Sequence, residues 1–294
     1  MSDIGGQAVI EGVMMKSDKH MTVAVRLPNK KTTKTKGLRG AELGSSIKTK
    51  KQKLKKLKKF WTIPFIRGIV QLIYILILGI KALIWSSDQQ LGKDEKITAK
   101  ELAITLVISF GFAVLFFVIA PFFITKAFVE KGLLFNIIDG ILRLVIFLVY
   151  VAVIALFNDV KILFQYHGAE HKCINCYERK KPLTIKNIKK YSTLHPRCGT
   201  AFILIVLIVS IFIFSLITGS WQIRLISRII LIPVIAGISY ELLKLSARFK
   251  HNFIIQAITY PGLLLQKLTT REPNNKQIEV ALVSLKELLK MEKQ

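Results

Sequence analysis

The chain has 294 residues, 52% of them hydrophobic, and carries 44 Lys+Arg against 18 Asp+Glu, a formal charge of +26. A soluble nucleic-acid binder would be basic, but would not contain "LAITLVISFGFAVLFFVIAPFFIT"; greasy and basic together point to an integral membrane protein with positive loops. All three cysteines lie between Cys173 and Cys198, which argues against a disulfide framework and for metal or redox chemistry.

The N-terminal segment 1–47 reads as β-rich. "QAVIEGVMM" and "HMTVAVRLP" are short Val/Ile/Met runs joined by a polar turn, so a hairpin or small meander is expected. Glu11 breaks the first run and is expected either to face outward from a strand or to point at a site. Gly5-Gly6 is expected to make a turn. No signal peptide is expected from "MSDIGGQAV". Residues 48–100 form a basic and interfacial segment. Its first part, 48–59, holds eight lysines and no acid, with Leu54, Leu57 and Phe60 at helical spacing. It reads either as a basic amphipathic helix attracted to anionic membrane lipid or as a solvated charge run. Residues 60–85 are apolar but interrupted by Arg67, Gln71 and Lys81. An interfacial or re-entrant helix is expected there, because a span needs about 20 apolar residues.

Residues 101–157 are expected to form a first transmembrane hairpin, from spans 102–125 and 133–157. Asp139 and Arg143 are four apart and can pair on one helix face. They are read as a pair near the headgroups; the competing reading is a polar site within the membrane. Residues 158–200 form a polar motif loop. Residues 201–243 are expected to form a second hairpin, from 201–217 and 225–243, with Arg228 near the start of its last span and Glu241 at its end. Residues 244–294 comprise an interfacial stretch and an amphipathic helix marked by Ile278, Ala281, Leu282, Leu285 and Leu289. The expected fold is mainly α: a polytopic membrane protein of about four spans with both termini cytoplasmic, since the positive-inside rule puts all three basic regions there.

The chemistry concentrates in "YHGAEHKCINCYE". His167, Glu170 and His171 spell H-x-x-E-H. On a helix both imidazoles share a face, and the carboxylate beside them can serve as general base for metal-activated water. The third ligand is expected from His195, Cys198 or Glu241. A rival grouping, Cys173-x-x-Cys176 with His195-x-x-Cys198, resembles a closed structural zinc site. A third reading has no metal: the histidines and Arg197 would bind phosphates or lipid headgroups.

"GGQAVIEGVMM", "YHGAEHK", "HPRCGT", "GISYELL" and "PGLLLQKLTTREP" together resemble the YqhQ family of bacterial integral membrane proteins, a family of unknown function labelled a predicted metal-dependent enzyme. The resemblance runs from about Gly5 to about residue 285. It implies a place in the bacterial cell membrane and a site drawn from Glu11, His167, Glu170, His171, His195, Cys198 and Glu241. Cys173 and Cys176 fall outside the matched motifs.

The reading reached is a membrane-embedded hydrolase with a divalent metal, zinc by its ligand types, at the cytoplasmic face. Glu170 would be catalytic, with Glu11 and Arg197 beside the site. A lipid-linked or membrane-protein substrate is expected. The alternative is a non-enzymatic scaffold or assembly factor that holds anionic lipid, a partner protein, or a ribosome or other RNA.

Overall fold

The computed structural model describes residues 4–28, 46–54, 63–91, 98–130, 132–196, 198–248 and 253–293. It opens with a four-stranded antiparallel meander, β1 (Gly5–Val9), β2 (Gly12–Lys16), β3 (His20–Arg26) and β4 (Ile47–Lys53), in that spatial order. Val9 pairs with Gly12, so Ile10 and Glu11 form the turn. Glu11 is thus a turn residue rather than a strand residue. Its φ of 51° is left-handed and costs a non-glycine side chain roughly 1–2 kcal/mol. Gly5 and Gly6 belong to β1 and make no turn.

β4 corrects the expected amphipathic helix over 48–59, of which 55–59 lie outside the described residues. Its register runs from Arg26↔Ile47 to His20↔Lys53. The lysines find partners on both faces: Lys51 reaches Glu287 and Lys50 lies over the Trp85 ring. A charged edge strand also resists pairing with other chains.

The period-two alternation of the strands divides their side chains between two faces. Val9, Met14, Met21, Val23 and Val25 pack on Leu78 and Ala82 of α1 (Ile66–Gln90). Val13, Met15 and Ala24 share a core with α5 (Asn158–Glu178) and α11 (Asn275–Glu292). The expected C-terminal amphipathic helix is α11. It starts at a capping box between Asn274 and Gln277 and buries Ile278, Ala281, Leu282 and Leu285.

The apolar helices follow. A continuous run, Ala99–Phe128, comprises α2 (Ala99–Val114), a π-type turn (Leu115–Ile119) and α3 (Ala120–Phe128). Thr98 and Glu101 cap its start reciprocally. Then come α4 (Leu133–Ile154), α6 (Ile185–Ile188) after α5, α7 (Gly199–Ser215), α8 (Trp221–Ile230), α9 (Ile232–Arg248) and α10 (Phe253–Thr269). Among the described residues, three helices are long and apolar enough to cross a membrane: 66–90, 99–128 and 133–154. The count is four if the bent pair α8–α9 acts as one span.

Two expectations change here. Residues 66–90, expected as an interfacial or re-entrant helix too short to span, form one unbroken 25-residue helix that is long and apolar enough to cross a membrane. Arg67 sits in its first turn and pairs with Glu241. Residues 225–243 are not one straight helix. The chain bends by 52° between α8 and α9, two residues ahead of Pro233, whose ring disfavours helical backbone just before it.

Candidate metal centre

His167 and His171 sit on one face of α5, and their ring centroids lie 4.4 Å apart. Cys198, immediately before α7, brings its Sγ to 3.2 Å from His167 Nε2. One donor atom from each of these three residues falls within 4.8 Å of the others. Thr200 Oγ1 donates to the same sulfur at 3.3 Å.

Backbone carbonyls aim the imidazoles. His167 Nδ1 lies 2.9 Å from the Thr269 carbonyl, and His171 Nδ1 lies against the Thr193 carbonyl. A carbonyl only accepts, so each Nδ1 carries the proton and each Nε2 keeps its lone pair. This is the outer-shell arrangement that orients metal-binding histidines. Burial pushes the His171 pKa down, which keeps the ring neutral as ligation requires.

Glu170 is buried beside them, with Oε2 3.4 Å from His171 Nε2. Burial pushes its carboxyl pKa up, opposed by His167 and His195. Strand β1 passes against it. A Cβ on Gly6 would stand 2.8 Å from Glu170 Cγ and 2.6 Å from the Met14 carbonyl. Glycine at position 6 is therefore a matter of close approach.

The remaining expected residues are placed elsewhere. His195 is buried next to the group, its ring 5.8 Å from that of His171. Its Nε2 meets Glu178 at 3.2 Å, and its backbone exchanges two hydrogen bonds with the Gln266 side chain. Glu241 is held on α9 by Arg67, whose Nε donates at 2.7 Å, and accepts the Phe65 N–H at 3.3 Å. It is outside the His/Cys group, because α1 crosses α9 and engages its carboxylate. Glu11 accepts from Tyr166 Oη at 3.0 Å, propping α5 one residue before His167. Arg197 lies outside the described residues.

The Cys-x-x-Cys grouping does not form a site with His195 and Cys198. Cys173 and Cys176 are fully buried in the core between the sheet and α11. Cys173 is two residues, about 200° of helix rotation, past His171, so it faces the other way. Burial drives its thiol pKa well up.

Several contributors were missed at the sequence level. Thr193 and Thr269 act through carbonyls, which no side-chain pattern reports. Gly168 left a cue, as a glycine inside "YHGAEH". A Cβ there would stand 2.1 Å from the Arg271 carbonyl. Arg271 N–H in turn donates to the Phe164 carbonyl at 2.9 Å. This close crossing sets the Thr269 carbonyl against His167.

Two imidazoles and a thiol converge beside a buried carboxylate, and the described residues include three to four helices long and apolar enough to cross a membrane. That defines a candidate metal-binding protein with candidate membrane spans. The chain belongs to the family described as "Protein of unknown function (DUF1385)", which matches residues 63–291. A relative from Bacillus subtilis (strain 168), called "Uncharacterized protein YqhQ", is 37% identical over 306 residues, covering 98% of this chain and 92% of that protein. No solved structure matches this chain.

Proposed function

We propose that the protein is a membrane-embedded, metal-dependent hydrolase whose divalent ion is held by His167, His171 and Cys198. The observation that carries this reading is the convergence of one ring nitrogen from each carbonyl-oriented histidine and one Sγ within 4.8 Å. Two nitrogens and a sulfur fit zinc, and three protein ligands leave the open position of catalytic sites. When bound, the ion supplies Lewis acidity, polarising a substrate oxygen and acidifying water. His167 and His171 orient it through their fixed tautomers. Glu170 takes the proton of the attacking water at Oε2 and returns it to the leaving group. With an ion other than zinc, Glu170 serves as a further ligand.

The packing supports a topology. Sheet, α5 and α11 share one core, so the N-terminal strands, the motif segment and the C-terminal helix lie on one side of any membrane. Three candidate spans separate the sheet from α5, and an even number of them must cross. α1 buries Leu78, Ala82 and Ser86, and Gln90 donates to the Arg26 carbonyl at 2.8 Å. We therefore place α1 along the membrane surface. The basic character of this side puts it in the cytoplasm of a bacterial cell membrane. A site there suits a lipid-linked or membrane-protein substrate. The alternative, a scaffold binding anionic lipid or RNA, rests on the +26 charge, and its metal would be structural.

The test is metal content of detergent-purified protein. Wild type and Glu170→Gln are expected to carry about one zinc per chain, and His167→Ala, His171→Ala and Cys198→Ser to lose it. Metal kept without either histidine would sink the proposal. A Glu170→Gln protein that retains full cellular function would favour the scaffold.

A further inference from the structure

A second polar cluster lies at the other end of α7. About 24 Å of helix rise separates Cys198 from Phe214. Around Phe214 gather Asn136, Asp139 and Arg143 of α4 with Arg224 and Arg228 of α8, and all five side chains are more than nine-tenths buried. Asp139 takes Arg228 at 2.9 Å and Arg143 at 3.1 Å. Arg228 also donates to Asn136 Oδ1 at 3.1 Å and to the Arg224 carbonyl at 2.8 Å. Phe122, Phe135 and Phe214 lie against these guanidiniums, with the Arg224 Cζ 4.5 Å from the Phe135 centroid.

Among the described residues the charges do not balance: the cluster holds three buried guanidiniums and one buried carboxylate. Asp139 is shared by Arg143 and Arg228, and Arg224 has no ion pair with a described acid. Its Nη2 donates to the Glu130 carbonyl at 2.7 Å, while its Nε and Nη1 are buried and unbonded, as is Arg143 Nε. Among the described residues, nearby charges include Lys126, over the Trp221 ring at 4.3 Å, and the exposed Glu130. A buried, uncompensated guanidinium is costly. Unbonded N–H donors of a planar guanidinium in an aromatic setting match the oxygens of a phosphate.

We propose that Arg224, Arg143 and Arg228 form a binding site for a phosphate group, at the end of α7 opposite the His/Cys centre. The shared chemistry is a phosphate oxyanion, carried either by a phospholipid headgroup or by free phosphate.

Calorimetry on full-length, delipidated protein in a phosphorus-free detergent tests this with three probes: dihexanoyl phosphatidylglycerol, inorganic phosphate and dihexanoylglycerol. At least one phosphate-bearing probe is expected to bind ten or more times tighter than the phosphate-free dihexanoylglycerol. Arg224→Gln is expected to weaken it at least tenfold, and Arg224→Lys, which keeps the charge but loses the fork, several-fold. Should Arg224→Gln fail to fold, as judged by helicity and monodisperse elution, Arg224→Lys carries the test. Binding of the phospholipid alone assigns a headgroup, and equal binding of inorganic phosphate assigns the free ion. The proposal is overturned if neither phosphate probe binds, if dihexanoylglycerol binds as well, or if binding ignores both Arg224 variants. Binding that arises only in Glu130→Gln would equally overturn it, naming Glu130 as the counter-ion.

Discussion

The two polar centres at the ends of α7 are opposites in chemistry. At the Cys198 end lone pairs converge: two Nε2 atoms, one Sγ and a buried carboxylate. At the Phe214 end N–H donors converge, from three guanidiniums around one aspartate. Burial raises the stakes at both, because low dielectric magnifies every unmatched charge. The difference lies in how each is positioned. Backbone carbonyls from loop and helix ends aim the histidines, whereas ring faces and one shared carboxylate order the arginines. The first arrangement is the one a bound cation needs; the second is the one the proposed phosphate site rests on.

The largest effect is expected from dismantling the arginine end. Asp139→Leu leaves Arg143 and Arg228 buried without their shared carboxylate, and removing the partner of a buried charge costs about 3–5 kcal/mol. Unfolding in detergent measures it. Arg228→Met should cost less, because it leaves the buried Asp139–Arg143 pair in place. Metal affinity at the far end should stay unchanged, because distant sites add independently. A metal affinity that drops with Arg228→Met would show the two centres to be one coupled system.

Next in size is a change at the other end. Gly168→Ala drives a methyl into the Arg271 carbonyl, 2.1 Å from its Cβ. Overpacking against backbone costs about 3 kcal/mol, and the shift moves the Thr269 carbonyl off His167. Metal affinity should fall by about 10–100-fold, as for other disrupted outer partners. Normal affinity in a folded Gly168→Ala protein would mean the carbonyl does not orient the ring.

Cys173→Ser sharpens which thiols matter. It places a hydroxyl in an apolar core at a cost of about 1–2 kcal/mol, with no loss of metal. Loss of metal from Cys173→Ser alone would revive the Cys-x-x-Cys grouping that the geometry sets aside.

Much of the histidine end was legible in the sequence, because H-x-x-E-H is a local pattern and helical spacing alone puts both rings on one face. The sequence leaves the third ligand open among His195, Cys198 and Glu241, since only tertiary packing brings Cys198 to the two histidines. The arginine end was half visible. Asp139 and Arg143 were read as a pair near the headgroups, and the pair forms, but buried against Arg228. Arg224 carries no cue of its own, although Arg224 and Arg228 stand four apart in "WQIRLISRII". β4 was the clearest misreading. Its lysines carry no strand signal, and the pairing that makes it a strand comes from β3, across the intervening segment.

The smallest expected effect lies away from both centres, where charged pairs tie α11 to the sheet, and it asks whether that docking is electrostatic or apolar. Hydrogen bonds from Lys290 and Lys51 hold the Glu287 carboxyl below its ordinary pKa, and those from His20 and Ser17 do the same for Glu292. A carboxylate with a depressed folded pKa stabilises the fold above its unfolded value, about 4.3 for Glu. That contribution is lost as pH falls through the folded pKa. Partly exposed pairs of this kind are worth roughly 0–1 kcal/mol each. The double variant Glu287→Gln/Glu292→Gln should therefore be about 1 kcal/mol less stable than wild type near neutral pH. The gap should close as pH drops below about 4, where the wild-type carboxylates take up protons. A gap that persists at low pH would mean the two side chains act through packing on α11 rather than charge. The apolar contacts of Ile278, Ala281 and Leu285 would then hold the helix to the sheet unaided.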